Sequence, residues 1–286
     1  FNTYCVTAPT DPRLGASSGQ QVCGIPDQTF AAKTIPQNIV QYRVADAPIP
    51  GLAGKPSDVF NGADFAMNWR FKGSGLVSGG VTLGKSVRDF CFANNFPQII
   101  NIATTAVGSG QIALGPRDAN YCTDAAQPLW NGVGSQVKFQ FVYPLPGAIM
   151  LAATYKHLPG IPVTGTVTYG NAAVAPVLGR NLAACTAPTG ACTQSATVNV
   201  VRPGTLYDDR LNQIDLRGTR RFRIGKARLQ GILELYNVLN VRTPQANTVT
   251  WGVVGAAGAQ TPGSTYLRPA SFLGGRLFKF GAQVDF

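Results

Sequence analysis

One histidine stands in the 286 residues, His157, and catalysis by a general base near neutral pH has to start from it. It comes at the end of an alternating run and sits beside Lys156, a place that suits a surface or wall histidine better than a base. Ser195 has no GxSxG elbow around it, so no hydrolase nucleophile is expected there. Gly73-Ser74-Gly75, with Gly79 and Gly80 close behind, resembles a phosphate loop on paper. Residues 76–84 alternate like a strand and no helix opens after the glycines, so the stretch reads as a hairpin turn. Asp208 and Asp209 are adjacent and diverge on a strand, which makes them a poor metal pair. No enzyme activity, metal or cofactor is therefore expected.

The cysteines say more. All six fall in turn-rich stretches, in local pairs: Cys5 with Cys23, Cys91 with Cys122, Cys185 with Cys192. Several connectivities are open, and nearest-neighbour pairing is the expectation. No CxxC spacing occurs, and His157 lies outside these stretches, so loop disulfides are favoured over a zinc site. Disulfides place the loops in an oxidising space such as the periplasm or the cell exterior.

The elements that must hold these residues are bounded first by composition. Charged residues are 13% of the chain, against roughly 25% in an average soluble domain. Glycine (33) and proline (20) are abundant, which suits strands with turns and long loops rather than helices. The 24 basic and 13 acidic residues leave +11, but the basic ones are scattered, with no groove-binding helix or aromatic RNA motif. Nucleic acid is not an expected partner; the charge reads as a solvated surface or as a counterpart to negative lipid headgroups. No run of about eighteen apolar residues exists, so any crossing of a membrane falls to strands.

Strand periodicity recurs as hairpins. Phe65, Met67, Trp69 and Phe71 alternate with Asp64, Ala66, Asn68 and Arg70, and after the turn Val77, Val81 and Leu83 alternate with Ser78, Gly80 and Thr82. Val137, Phe139, Phe141 and Tyr143 alternate with Gln136, Lys138 and Gln140; past Pro144 to Gly147, Ile149, Leu151, Ala153 and Tyr155 return. Ile214, Leu216, Phe222 and Ile224 oppose Asp215, Arg217, Thr219, Arg221 and Arg223. Across Gly225-Lys226, Leu229, Leu233 and Leu235 oppose Arg228, Gln230 and Glu234. RLFKFGAQVDF, residues 276 to 286, closes the chain with Phe278, Phe280 and Phe286 on one face.

These are seven strands of about ten residues or more, the length that crosses a bilayer at a tilt, whereas strands of water-soluble proteins are nearer five or six. Tight turns at 73–75, 144–147 and 225–226 contrast with long connections: the opening stretch to about Gly62, then about 88–134, 158–209 and 240–271. Tight turns on one side and long loops on the other are the asymmetry of an outer-membrane barrel, and every cysteine lies on the long-loop side. The fold class expected is all-β, an antiparallel transmembrane β-barrel segment. Phe65, Trp69, Phe139, Phe141, Phe222, Phe278, Phe280 and Phe286 face lipid in this reading. Arg217, Arg221, Arg223, Arg228, Glu234, Lys138 and Arg70 line the interior, where they pair across strands, meet a plug, or favour an anionic cargo.

From Tyr207 onward the chain resembles the C-terminal end of a TonB-dependent outer-membrane receptor. YDDRLNQIDLRGTRRFRIGKARLQGILELYNVLN (207–240) is similar to that family's penultimate hairpin at Arg210, Asn212, Asp215, Glu234, Asn237 and Asn240, and RLFKFGAQVDF to its closing strand. TAPTDPRLG (7–15) and NGADFAMNWRF (61–71) are like segments of the Oar-like branch with carboxypeptidase-regulatory-like domains. The resemblance implies uptake of a nutrient or chelate through the bacterial outer membrane. It implies outer-membrane lipid, the TonB complex acting through a plug, and the barrel-assembly machinery engaging Phe286 as partners. Loops are then extracellular and the C-terminus periplasmic. Family members close a larger barrel around an N-terminal plug and carry a TonB box, none of which this chain shows. It is accordingly expected to be the C-terminal portion, residues 1–286 of barrel wall completed by a separate upstream piece; association of copies into a homo-oligomer is the other way to close the edges.

Two other classes fit parts of the pattern. A secreted all-β binding or fibre-forming protein would bury the alternating faces in a sandwich core. An autotransporter translocator has a barrel of similar length but threads a helix through its pore, and no such helix is legible here.

Overall fold

The computed structural model describes residues 1–33, 57–71, 73–89, 91, 94, 116, 118–124, 135–263 and 265–285. It is an all-β molecule with a few short helices. In chain order the strands are β1 (Asn2–Thr7), β2 (Gln21–Asp27), β3 (Ser57–Phe71), β4 (Gly75–Asp89), β5 (Thr123–Asp124), β6 (Gln136–Leu145), β7 (Ile149–Leu158), β8 (Thr166–Gly170) and β9 (Ser195–Asn199). They continue with β10 (Leu211–Ile224), β11 (Ala227–Tyr236), β12 (Pro244–Asn247), β13 (Thr250–Val254), β14 (Gln260–Pro262), β15 (Pro269–Phe272) and β16 (Leu277–Asp285). Among the described residues the α-helices are α1 (Phe30–Lys33), α2 (Ala119–Cys122) and α3 (Asn171–Leu178).

The seven expected strands form one antiparallel sheet in the order β16-β11-β10-β7-β6-β4-β3, with the short β5 added beside β4. They run from nine residues in β16 to 15 in β3 and β4. β3 begins at Ser57, well inside the stretch expected to be loop up to about Gly62, because Asp58 and Arg88 pair across the ladder at 2.9 Å and extend it. β16 begins at Leu277 rather than Arg276, whose guanidinium turns aside to donate to the Val238 carbonyl at 2.6 Å. Gly73 and Ser74 both take positive φ in the first tight turn, the mirror-type geometry that matches strand twist. In β4, Gly79 is required: a Cβ there would stand 2.2 Å from the Lys138 carbonyl of β6.

The described parts of the long connections are not the irregular loops expected from their length. They fold together. β14, β13, β8 and β9 make a second sheet, in which β13 and β8 run parallel, and β1 pairs with β2. Cys5 and Cys23 therefore sit in strands, not turns, and are bonded across the β1–β2 pair; Cys91–Cys122 and Cys185–Cys192 are the other disulfides. All three pairings are the nearest-neighbour ones.

This assembly, here called the cap, holds the core. Its fully buried side chains include Leu14, Val22, Ile25, Val167, Tyr169, Val198, Val200 and Trp251. Distant segments meet there: the Tyr169 hydroxyl donates to the Thr7 carbonyl at 2.9 Å, and Tyr121 donates to Val200 at 3.1 Å. Arg180 and Asp27 pair at 2.5 Å, and Lys33 donates to the carbonyls of Ala183 and Cys185 at 2.8 and 2.9 Å. Among the described residues, the seven long strands bury no apolar side chain at all.

Candidate functional site

A sheet alternates its side chains, so the register fixes which residues share a face. One row crosses all seven strands as Trp69, Val77, Phe141, Ala153, Leu216, Leu235 and Phe278. The adjacent row, on the opposite face, is Arg70, Leu76, Val142, Ala152, Arg217, Glu234 and Lys279. The sequence-expected partition into two faces is thus realised in one continuous ladder, with one refinement. Leu76, Val142 and Ala152 make the middle of the second row apolar, so its charge is concentrated toward β10, β11 and β16.

The apolar face is open. Phe65 is 64% exposed, Trp69 58% and Phe280 78%; Phe141, Phe222 and Phe278 are exposed as well, while Phe139 is half-buried against its neighbours. Near the tight turns its aromatics cluster: Phe71 lies 5.2 Å from Trp69, 6.3 Å from Phe141 and 5.7 Å from Tyr143, centroid to centroid. Phe286 lies outside the described residues. β16 reaches Asp285 opposite Arg228, beside the 225–226 turn, so it ends at the tight-turn rim.

On the polar face, Glu234 is the buried acid. Arg217 approaches it at 3.5 Å, Lys279 at 3.0 Å, and the Tyr236 hydroxyl donates to it at 3.0 Å. Those neighbours cover Glu234, with Arg217 and Lys279 themselves exposed and Tyr236 half-buried. Arg221 donates to Gln230 at 3.4 Å. Arg223 and Arg228 stand directly opposite each other, and Lys138 stands opposite Lys156. Like charges at facing positions weaken a ladder; on its other side Arg228 faces Asp285 of β16, an opposite charge.

A third constellation ties the β10–β11 hairpin to the long-connection side. The Arg210 guanidinium donates to His157 Nε2 at 2.6 Å and to the Ser135 carbonyl at 2.6 Å. Because a guanidinium only donates, Nε2 must accept; the ring proton then sits on Nδ1 and is given to Asn212 Oδ1, 2.6 Å away. The His157 ring is thus held between Arg210 and Asn212. Asp215 accepts from the Asn237 backbone at 2.8 Å. Asn237 takes positive φ and donates through its amide to Val241 and Gly274, at 3.0 and 2.9 Å. Asn240, also at positive φ, accepts from the Arg276 backbone at 3.1 Å. Asparagine tolerates this backbone region and satisfies its neighbours, which gives each asparagine of the 207–240 hairpin pattern a physical task. Asp208 accepts from Asn247, and burial pushes its carboxyl up. Among the described residues no group of three or more His, Cys, Asp or Glu is arranged to hold a metal, and no helix is long and apolar enough to cross a membrane.

Sequence reasoning missed the cap site around Asp11. Its carboxylate accepts from Arg13 at 2.7 Å and from the Trp251 indole at 2.8 Å, and the Arg13 guanidinium holds it down at about 2. Nothing in the sequence links positions 240 residues apart.

No family model matches the chain, and no curated protein matches it either.

Proposed function

We propose that this chain is barrel wall of a TonB-dependent outer-membrane transporter, its sheet set in the bilayer and its cap standing outside the membrane. The observation that carries this reading is the pairing of a seven-stranded sheet that buries no apolar side chain with a cap that buries many. A sheet in water needs its apolar face covered; one whose Phe65, Trp69 and Phe280 remain open needs another apolar phase. Strands of nine to 15 residues reach across roughly 25 Å of hydrocarbon when tilted. The aromatic cluster beside the tight turns suits the interfacial belt of such a wall.

Among the described residues the edge strands β3 and β16 have no further strand partner, and hydrocarbon does not tolerate unpaired backbone, so in this reading further strands close the wall. The polar face, with Arg217, Arg221, Arg223 and Arg228 against Glu234, favours an anionic nutrient or chelate, or an acidic plug surface, on the inside. Cargo would be captured first by the disulfide-tied cap. Transport rather than catalysis is the function proposed, with the TonB complex, outer-membrane lipid and the assembly machinery as partners. Open edges also suit end-to-end association of copies in a secreted fibre. That alternative leaves unexplained why one row is apolar from Trp69 to Phe278 while the adjacent row gathers charge toward β10, β11 and β16.

The test is solvent. The purified chain should require detergent to stay dispersed and should enter preformed lipid vesicles with its cap protease-accessible. A monodisperse chain in detergent-free buffer that ignores vesicles ends the transporter reading.

A further inference from the structure

On the apolar face of β7, β10, β11 and β16 lies a trough of about 470 Å³, floored by Gly218 and Gly231 and walled by Ile149, Phe222, Leu233 and Phe280. The glycines are not demanded by what surrounds them. A Cβ on Gly218 would meet Leu151 at an ordinary 3.7 Å, and one on Gly231 would meet Phe222 at 3.9 Å. Neither takes positive φ. Glycine weakens a strand interior, and where neither backbone nor packing asks for it, the remaining use is room for something that approaches closely.

Arg220 stands at one end of that room, directly opposite both Ile149 and Gly231. Its guanidinium carbon lies 4.9 Å from the Phe222 ring centroid, and among the described residues no carboxylate pairs with it. The other charged residues on the apolar face of the long strands, Lys85 and Asp89, lie at the far end beside a long connection. A cation on a face otherwise turned to hydrocarbon calls for an explanation, and its level supplies one. Ile149 is the first residue of β7, and the Arg221 backbone donates to Ala148 in the turn at 3.1 Å. Arg220 is thus level with the β6–β7 turn, two residues beyond the row of Tyr143 and Gly218 and nearer the tight-turn rim, where headgroups would meet acyl chains. Arg221, Arg223, Lys226 and Arg228 crowd the same end of the hairpin.

We infer that this trough binds one anionic phospholipid of the surrounding bilayer, its phosphate on Arg220 and one acyl chain lying over Gly218 between Leu151 and Leu233. The inference rests on the membrane reading above. Charge complementarity selects the occupant: an apolar slot closed by a lone unpaired guanidinium matches a molecule that is greasy along its length and negative at one end. The Phe222 ring holds the guanidinium in place without neutralising it.

The 286-residue chain, delipidated in detergent and titrated separately with phosphatidylglycerol and phosphatidylcholine, would be read by native mass spectrometry. Both lipids carry a phosphate, but the choline ammonium neutralises it in phosphatidylcholine, so the wild type should retain the net-negative phosphatidylglycerol about five-fold better, the effect of one guanidinium facing one uncompensated charge. Arg220→Gln should erase that preference and Arg220→Lys should keep it. Arg223→Gln, on the opposite face, should leave it unchanged, and Gly218→Leu should lower retention of both lipids. Equal retention by the wild type, or a preference that survives Arg220→Gln, overturns the inference while leaving the membrane reading intact. A second copy of the chain that occupies the face and is not displaced by lipid overturns it too. A chain that never enters vesicles overturns both.

Discussion

The sheet and the cap are built from the same side-chain stock and solve opposite problems. In the cap, Trp251, Tyr169 and Val198 are shut away from solvent, charges such as Arg180 and Asp27 are paired, and three disulfides tie the long connections. In the sheet, Phe65, Trp69 and Phe280 are exposed, and among the described residues the buried polar side chain is an acid, Glu234. The contrast teaches that burial by the protein's own atoms, not hydrophobicity alone, distinguishes the two regions; under the proposed function the sheet's open apolar face is the one that lipid would cover.

The sharpest way to break the comparison is to attack the cap's centre. Trp251→Ala removes a fully buried indole and its hydrogen bond to Asp11. It should cost the cap about 3–5 kcal/mol, the range for large aromatic deletions. Near-ultraviolet circular dichroism and hydrogen exchange should show the cap opening while the long-strand amides keep their protection. Loss of protection in β10 and β11 at the same midpoint would show one cooperative unit, and the division between sheet and cap would fall.

A charge on the apolar face tests the other half. Leu233 is 47% exposed, and in a water-facing sheet Leu233→Lys would change stability by only about 0.5 kcal/mol. In a bilayer it should cost about 2–4 kcal/mol, while Thr219→Lys on the opposite face should cost little. Folding equilibria into vesicles, titrated with urea, separate the two. Equal effects of the two lysines would remove the apolar face as a lipid contact.

Legibility in the sequence divides along the same line. The sheet is readable because each long strand repeats with period two, so Phe139, Phe141 and Tyr143 announce a face before any partner is known. Its pairing is readable because three turns are tight. The cap is not. β8, β9 and β13 are five residues each, too short for periodicity to rise above chance, and β13 pairs in parallel with a strand some eighty positions earlier. The cysteine spacing is the one signal that those stretches hold together, and it yields the pairings without the fold. Of the candidate sites, the faces of Arg217, Arg223 and Glu234 follow from alternation, and the hairpin pattern at Arg210, Asn212 and Asn237 marks a clamp whose partners the structure supplies. Arg220 escapes a reading by periodicity because it interrupts an otherwise apolar alternation, and a lone interruption in a periodic run looks like noise until the strands beside it are known.

The smallest expected effect sharpens the comparison by pH. Asp11 is buried, is held at about 2 by the Arg13 guanidinium, and titrates near 3.8 in an unfolded chain. A carboxyl whose folded value is depressed contributes stability that is complete above the unfolded value and is lost as pH falls through the folded one. The contribution is about 2 kcal/mol at most, since Arg13 is partly exposed and salt screens the pair. The cap should therefore weaken between about pH 4 and pH 2. Burial pushes Asp27 upward, so that group opposes the trend over part of the range. The quantity to measure is the difference between the wild type and Asp11→Asn, which keeps a side-chain carbonyl for the Trp251 indole but has no charge to lose. That difference should be largest near neutrality and shrink as the pH approaches 2, followed by cap-specific hydrogen exchange or thermal unfolding in detergent. A difference that stays flat from neutrality down to pH 2 would mean the Arg13–Asp11 pair contributes no net charge stabilisation.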